Sequence, residues 1–161
     1  MAFRQENERD FVEVIAEPPS LTKLVEFVRS EEAGAIATFS GTTRNSFVVN
    51  GVSKRVVHLS YEAYVPMAIS QLHVILTEAR ARWPALIRLA VSHRTGTVPV
   101  AQESVIIAAS SPQRKDALAA TGWILDELKS RVPIWKMEYY DDGSMWKENG
   151  ECAWAAGKTA P

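Results

Sequence analysis

Pro133 marks the point at which the periodicity of the sequence changes, and this change constrains the fold more than any other feature. Apolar residues recur at helical spacing before it, whereas residues 134–140 alternate with a period of two. Proline lacks a backbone N–H and disfavours helical geometry in the residue before it. The stretch L-K-S-R-V-P-I-W-K-M-E, residues 128–138, therefore predicts a helix that leads directly into a strand.

The remaining periodic segments predict an α+β fold with the order β-α-β-β-α-β-β-α-β-β. Ser20 is the expected cap of the first helix, and Ser111 with Pro112 of the last. The predicted helices end near residues 29, 83 and 131, the second beginning at Pro66, and the predicted strands cover 11–15, 34–39, 55–61, 87–91, 104–109, 134–140 and 145–147. Residues 40–51 are expected to form a loop and 95–101 a turn. Residues 1–9 are expected to be frayed.

Composition restricts the class of protein. The chain has 161 residues, of which 47% are hydrophobic, so it suits one domain spanning 1–161. Eighteen basic and 19 acidic residues give a net charge of −1, which argues against general nucleic-acid binding. The single cysteine, Cys152, excludes an internal disulfide. Neither a secretory signal nor an apolar run of about 20 residues is present, so we expect a soluble, cytoplasmic protein.

Lys129 is the first candidate for chemistry, because a helical wheel places it on an apolar stripe of the last predicted helix. That stripe comprises Leu118, Gly122, Leu125 and Val132. Two interpretations fit: a lysine that extends its ammonium group from the helix end into water, or an ammonium group at the edge of a pocket. Arg114 shares the stripe but lies 15 residues away, roughly 22 Å along a helix. One small ligand cannot contact both, so if both are functional the helix serves two sites, as it can near the interface of a two-fold dimer.

Lys136 and Arg44 complete a set of candidate cations. After Pro133, Lys136 would return close to the helix end that carries Lys129, although an ordinary solvent-facing lysine is about as compatible with the pattern. Arg44 lies in the loop after a buried strand, where it could bind phosphate or simply be solvated. With Arg114, these residues predict a cationic pocket for an anionic substrate. No zinc spacing, phosphate-binding loop or dinucleotide motif is present, and no metal site is predicted.

At these residues the sequence resembles the large, catalytic subunit family of molybdopterin synthase. The matching segments run over about residues 34–154. They are F-S-G-T-T-R-N, L-S-Y-E-A-Y-V-P-M-A, R-W-P, H-R-T-G-T-V-P-V, S-S-P-Q-R and L-K-S-R-V-P-I-W-K-M-E. The last is the most specific, because two lysines at this spacing occur together with P-x-W-K.

The resemblance implies an α/β hammerhead-type fold with a mostly antiparallel sheet and an added β subdomain. It implies a homodimer of catalytic subunits with one small ubiquitin-like sulfur carrier at each end, forming a heterotetramer. The carrier would insert its C-terminal Gly-Gly thiocarboxylate, and the enzyme, a sulfurtransferase, would transfer sulfur twice to cyclic pyranopterin monophosphate to form the molybdopterin dithiolene. The pterin is substrate and product, and no cofactor is implied.

The resemblance also implies roles for individual residues. Lys129 and Lys136 would be catalytic: Lys129 in acid–base chemistry or transient covalent capture, and Lys136 in stabilising negative charge. Arg114 would act on the neighbouring subunit's site. The other substrate-binding residues would be Phe39, Thr42, Thr43, Arg44, Gln113, Met137 and Glu138.

Two positions depart from the family pattern. Gln113 stands where the family usually has histidine, and glutamine cannot carry a proton at neutral pH. A basic residue of the family aligns near Gly150, where Lys147 is the nearest lysine. These departures leave an alternative function, in which the chain is a non-catalytic dimeric scaffold or anion-binding module with the same fold and partner groove.

Overall fold

A computed structural model describes residues 3–148 of the chain. This part contains three helices and ten strands. The helices are α1 (Leu21–Val28), α2 (Val65–Arg82) and α3 (Arg114–Arg131). The strands are β1 (Phe3–Glu6), β2 (Asp10–Ile15), β3 (Ala35–Thr42), β4 (Ser46–Val49), β5 (Val52–Ala63), β6 (Leu89–Arg94), β7 (Gly96–Pro99), β8 (Glu103–Ser111), β9 (Ile134–Tyr140) and β10 (Met145–Glu148). The predicted α+β class is confirmed. No helix in this range is long and apolar enough to cross a bilayer.

The first sheet has the strand order β1-β2-β6-β8-β3 and carries helices on both faces. Only its β2–β6 pair is parallel. Side chains of β8 alternate between two cores: Val105 and Ile107 pack with α2 and α3, whereas Ile106 and Ala108 pack with α1. The sheet is therefore buried on both sides, which accounts for the continuous apolar run in β8.

The second sheet is antiparallel, with the order β10-β9-β5-β4 and β7 paired to β5. Its small core contains Val56, Leu59 and Tyr140, with Phe47 packed against it. Strand β5 spans 12 residues, so one strand pairs with β4, β7 and β9. This sheet forms the β subdomain beside the helix-covered sheet.

The predicted stripe of α3 is confirmed at Val132, which is 1% exposed, and at the partly buried Leu125, but not at Leu118 and Gly122. The side chains that pack on the first sheet are Ala117, Ala120, Thr121, Ile124 and Leu128. Leu118 is instead 62% exposed, and the Gly122 position faces open space. Small alanines let the helix approach the sheet closely, so the buried face is defined by size and not by the largest apolar residues. The start of α3 was also wrong, because its N-cap is Gln113 and not Ser111.

Three short strands were not predicted. Residues 1–9 were expected to be frayed, but Phe3–Glu6 forms β1 on the edge of the first sheet, with all four residues exposed. The predicted loop at 40–51 contains the end of β3 and all of β4, and the predicted turn at 95–101 contains β7. Each missed strand has four residues, too few for alternation to be recognised before a pairing partner is known.

Candidate active site

A cavity of about 470 Å³ lies where α3 ends beside the second sheet. Its lining comes from the C-terminal part of α3, from β3 and the segment after it, and from β4, β5, β6, β8 and β9. Arg44, Lys129 and Lys136 are the cationic residues that line it. The lining side chains within residues 3–148 include no aspartate or glutamate, so the cavity presents positive charge to a ligand.

The two lysines reach this cavity from different elements joined by two residues. Helix α3 ends at Arg131, Val132 caps it in extended geometry, and β9 begins at Ile134. The carbonyl of Pro133 accepts a hydrogen bond of 3.1 Å from the Tyr64 backbone N–H, which ties the junction to the start of α2. The predicted convergence of Lys129 and Lys136 is therefore present, and Pro133 lies at the turn between them.

Lys136 is held by a buried carboxylate. Its Nζ lies 3.0 Å from Oε1 of Glu138, whose side chain is only 3% exposed. The Tyr140 hydroxyl donates a 2.5 Å hydrogen bond to the other oxygen, Oε2. Glu138 does not line the cavity, so the structure puts it behind Lys136. A carboxylate with both oxygens occupied restricts the ammonium group that it pairs with.

Arg44 lies over an aromatic ring at the mouth of the cavity. Its guanidinium carbon is 4.3 Å from the centre of the Phe47 ring, and Nζ of Lys136 is 5.3 Å from the same centre. Both distances fall within the range of cation–π contacts. No carboxylate in the described part of the chain forms an ion pair with Arg44, whose side chain is exposed.

Phe39 and Thr42 also line the cavity, whereas Thr43 does not. Thr43 is 3% exposed, and its hydroxyl donates to the Val98 carbonyl at 3.3 Å. Its backbone N–H and carbonyl bond to Gln102 and Ala101, at 3.1 and 2.9 Å. Thr43 thus anchors the backbone immediately before Arg44.

The remaining predicted site residues lie elsewhere. Gln113 and Arg114 are exposed at the N-terminal end of α3, the end remote from Lys129. Met137 is paired with Ser60 across β5 and does not line the cavity, as expected from the alternation along β9. None of these three residues lines the cavity of its own subunit, and their roles in substrate binding stay predictions.

Several lining residues had not been predicted as part of a site, among them Phe47, Tyr61, His93 and Ser104. Phe47 escaped notice because residues 46–49 were interpreted as loop. The Asn50-Gly51 signal followed by a β-rich stretch could have indicated the hairpin that carries it. Tyr61 lines the cavity from near the end of β5 and Ser104 from near the start of β8, and sequence alone does not reveal which face of a strand is open.

Burial controls the ionisation of the inner wall. His93 is 3% exposed, and burial lowers its pKa to about 4. Its Nδ1 lies 2.8 Å from the Arg94 carbonyl oxygen, so Nδ1 carries the proton of the neutral ring. Burial also raises the pKa of the Tyr61 hydroxyl, against the opposing effects of Ser104 and Lys136. The wall is therefore uncharged at neutral pH, and the positive charge comes from the lysines and Arg44.

No group of three or more histidine, cysteine, aspartate or glutamate side chains in residues 3–148 is arranged to hold a metal ion. Cys152 and Gly150 lie outside the described residues. The chemistry available to the cavity is that of amines, a guanidinium group, hydroxyls and a neutral imidazole.

Comparison with known proteins gives one consistent result. Residues 14–131 match the family described as MoaE protein. The molybdopterin synthase catalytic subunit of Taeniopygia guttata is 44% identical over 155 residues, covering 96% of this chain and 97% of that protein. The protein of the same name from Oryza sativa subsp. japonica is 52% identical over 147 residues, covering 89% and 74%.

Solved structures agree with the fold. The crystal structure of molybdopterin synthase from Staphylococcus aureus matches with a TM-score of 0.78 at 32% identity, covering 89% of this chain and 98% of that one. A complex of subunits 1 and 2 of molybdopterin-converting factor from Helicobacter pylori matches with a TM-score of 0.71 at 19% identity, covering 92% and 99%. The second match supports the fold alone.

Proposed function

The chain belongs to the MoaE family of molybdopterin synthase catalytic subunits, and we propose that it transfers sulfur from the thiocarboxylated C-terminus of a small carrier subunit to cyclic pyranopterin monophosphate. One observation carries this proposal: Arg44, Lys129 and Lys136 line one cavity to which no described acidic side chain contributes. A thiocarboxylate and a phosphate are both anions, and both need such a site.

Each transfer exchanges one sulfur atom for one oxygen atom on the carrier. The thiocarboxylate sulfur forms a bond to a carbon of the pterin precursor while a carbon–oxygen bond at that carbon breaks, and the displaced oxygen leaves as water or with the phosphate. The product is an acyl thioester between carrier and substrate. Water then cleaves the bond between sulfur and the acyl carbon, and the carrier leaves as an ordinary carboxylate. A second carrier repeats the exchange at the adjacent carbon and completes the dithiolene.

The two lysines would divide this chemistry between them. Lys129 is exposed in the last turn of α3 and lines the cavity, so it can approach the carrier's terminal carbonyl and serve in proton transfer or transient covalent capture. Lys136 is fixed by Glu138, so its charge suits stabilisation of an oxyanion at a defined position. An exposed amine and a fixed charge fit these different tasks.

Arg44 would bind the phosphate of the pterin precursor, with the Thr42 hydroxyl beside it and Phe39 as an apolar wall. Guanidinium groups bind phosphate through two parallel hydrogen bonds. Thr43 would act indirectly, because its buried hydrogen bonds hold the backbone that carries Arg44.

The working enzyme would be a homodimer of this chain with a small carrier subunit bound at each end. The name "catalytic subunit" carried by the relatives implies a second kind of subunit. Arg114 and Gln113 lie too far along α3 from Lys129 to share its ligand, so we place them at the neighbouring subunit's cavity. Gln113 can donate a hydrogen bond there but cannot act as an acid.

Reconstitution tests the function directly. The purified chain is mixed with thiocarboxylated carrier and cyclic pyranopterin monophosphate, and dithiolene formation is followed. The matched control uses the same carrier with an ordinary C-terminal carboxylate, which has no sulfur to transfer. Folded protein that binds the carrier but forms no dithiolene would contradict the proposal and favour the scaffold alternative.

A further inference from the structure

Phe47 contacts two of the three cations of the cavity, and the function proposed above gives it no task. The ring centre is 4.3 Å from the Arg44 guanidinium carbon and 5.3 Å from Nζ of Lys136. These side chains come from a loop and from β9, far apart in sequence. The ring is thus a shared contact between a proposed phosphate ligand and a proposed catalytic lysine.

The fold fixes this ring from behind. Phe47 is half-buried in β4, where it packs against the core of Val56, Leu59 and Tyr140. Strand β4 pairs with β5 through the Asn50-Gly51 turn, whose two residues have positive φ values of 50° and 78°. A ring held by a hairpin and a core has few orientations, so it can define where flexible cationic side chains rest.

An aromatic partner has a particular advantage for a site that binds anions. A carboxylate beside Arg44 would neutralise the guanidinium group and compete with an incoming phosphate. The negative face of a ring attracts the cation but carries no net charge, so the positive charge stays available to the ligand. It also counters the repulsion between two like charges that share a small cavity.

We propose that Phe47 is a positioning residue that holds Arg44 and Lys136 as a preassembled pair of cations for the phosphate-bearing substrate. This inference rests on the proposed function for the identity of the substrate. It assigns a role to the β4–β5 hairpin.

Two substitutions separate the effect of the aromatic ring from the effect of side-chain size. Phe47→Leu keeps an apolar side chain against the core but removes the ring, and Phe47→Tyr keeps the ring. Phe27→Leu makes the same change at a half-buried phenylalanine of α1, which does not line the cavity, and serves as the matched control. Phe47→Met provides a second variant without a ring if Phe47→Leu fails to fold.

Binding of cyclic pyranopterin monophosphate, measured by titration calorimetry, should be roughly tenfold weaker in Phe47→Leu, as expected when two cation–π contacts are lost. Phe47→Tyr and Phe27→Leu should bind it like the wild type. Wild-type protein that fails to bind the precursor would overturn the proposed function. Wild-type binding that Phe47→Leu fully retains, or that Phe47→Tyr loses equally, would overturn only the positioning role.

A second measurement needs no substrate. In the wild type, the side-chain methylene protons of Lys136 and Arg44 should show upfield ring-current shifts in NMR spectra. These shifts should vanish in Phe47→Leu and persist in Phe47→Tyr and Phe27→Leu. Shifts that are the same with and without the ring would refute the contact on which the proposal stands.

Discussion

The two lysines of the cavity differ in how the protein holds them, and their substitutions should therefore differ in effect. Lys129 is exposed on the last turn of α3, where a cation also interacts favourably with the helix dipole. Lys136 is 26% exposed and paired with Glu138, which is 3% exposed. Removing Lys136 would leave a buried carboxylate without its cation, which is costly.

We expect Lys129→Ala to separate activity from stability. Dithiolene formation should fall by at least about a hundredfold, the usual loss when a proton-transfer group is removed. The free energy of unfolding should change by less than about 0.5 kcal/mol, as for most exposed side chains. Reconstitution and urea denaturation measure the two quantities.

Lys129→Arg is the informative companion, because it keeps the charge but has no amine that can capture a carbonyl. Near-normal turnover in Lys129→Arg would limit the role of Lys129 to electrostatics. Global unfolding of Lys129→Ala would instead identify the residue as structural. It would favour the interpretation in which Lys129 only extends its ammonium group from the helix end into water.

His93 should make the protein less stable as the pH falls from about 6.5 to about 4. Burial lowers the pKa of His93 to about 4 from the ordinary 6.5. Between these values the unfolded chain binds a proton at this site and the folded chain does not, so protonation favours unfolding. The difference corresponds to about 3 kcal/mol lost across this window, with no further contribution above or below it.

Urea denaturation of wild type and His93→Gln across this pH range measures that contribution. Glutamine can donate to the Arg94 carbonyl but does not titrate. The wild type should therefore lose more stability on acidification than the variant, by an amount that grows towards pH 4. Parallel curves for the two proteins would show that His93 does not stay neutral in the fold.

At the scale of elements, helix α3 shows what sequence patterns can and cannot predict. Its end at Arg131 and the start of β9 at Ile134 followed from Pro133 and a change of period, both of which are local. The residues of its buried face were predicted only in part, because the prediction relied on the positions of large apolar residues. Contact with a sheet depends on how closely the backbone can approach, which only the packed structure determines.

The strands divide in the same way. Strand β8 was recognisable because eight of its nine residues are buried and the sheet is covered on both sides, which leaves a long apolar run. Strands β1, β4 and β7 have four residues each and acquire their structure by pairing with β2 or β5. Lys129 and Lys136 lie on either side of Pro133, a local signal in the sequence, and were predicted as candidates. Phe47 lies on one of the short strands and was not predicted.

Packing at the buried face of α3 can be tested by enlarging one side chain. Ala120 is fully buried against the sheet, so Ala120→Leu should destabilise the protein by about 1–3 kcal/mol through overpacking. Leu118→Ala, on the face that had been expected to be buried, should change stability by less than about 0.5 kcal/mol, because Leu118 is 62% exposed. Urea denaturation measures both free energies of unfolding. A larger loss in Leu118→Ala than in Ala120→Leu would show that the predicted stripe, and not the Ala120 face, is the buried one.

At the scale of the whole molecule, α3 carries candidate residues at both ends. Lys129 lies at the cavity and Arg114 at the other end, roughly 22 Å away for 15 residues of helix. In a two-fold dimer one surface contacts its own copy, so a helix at the interface can serve its own cavity with one end and the partner's with the other.

Mixing inactive variants tests whether the site is shared between subunits. Arg114→Ala and Lys129→Ala should each lose most activity as homodimers. In a mixed dimer, however, the subunit carrying Arg114→Ala supplies an intact Lys129, and its partner supplies an intact Arg114, so one of the two sites is complete. Random exchange should therefore restore roughly a quarter of the wild-type sites.

The control is the double variant Arg114→Ala/Lys129→Ala mixed with either single variant, which cannot assemble a complete site in any combination. If Arg114 serves its own subunit, neither chain of the mixed dimer holds both residues, and co-refolded single variants stay inactive. Recovery of turnover thus requires both a dimer and an arginine that reaches the partner subunit's cavity. The recovered turnover should be lost again when the mixed dimers are dissociated into single subunits.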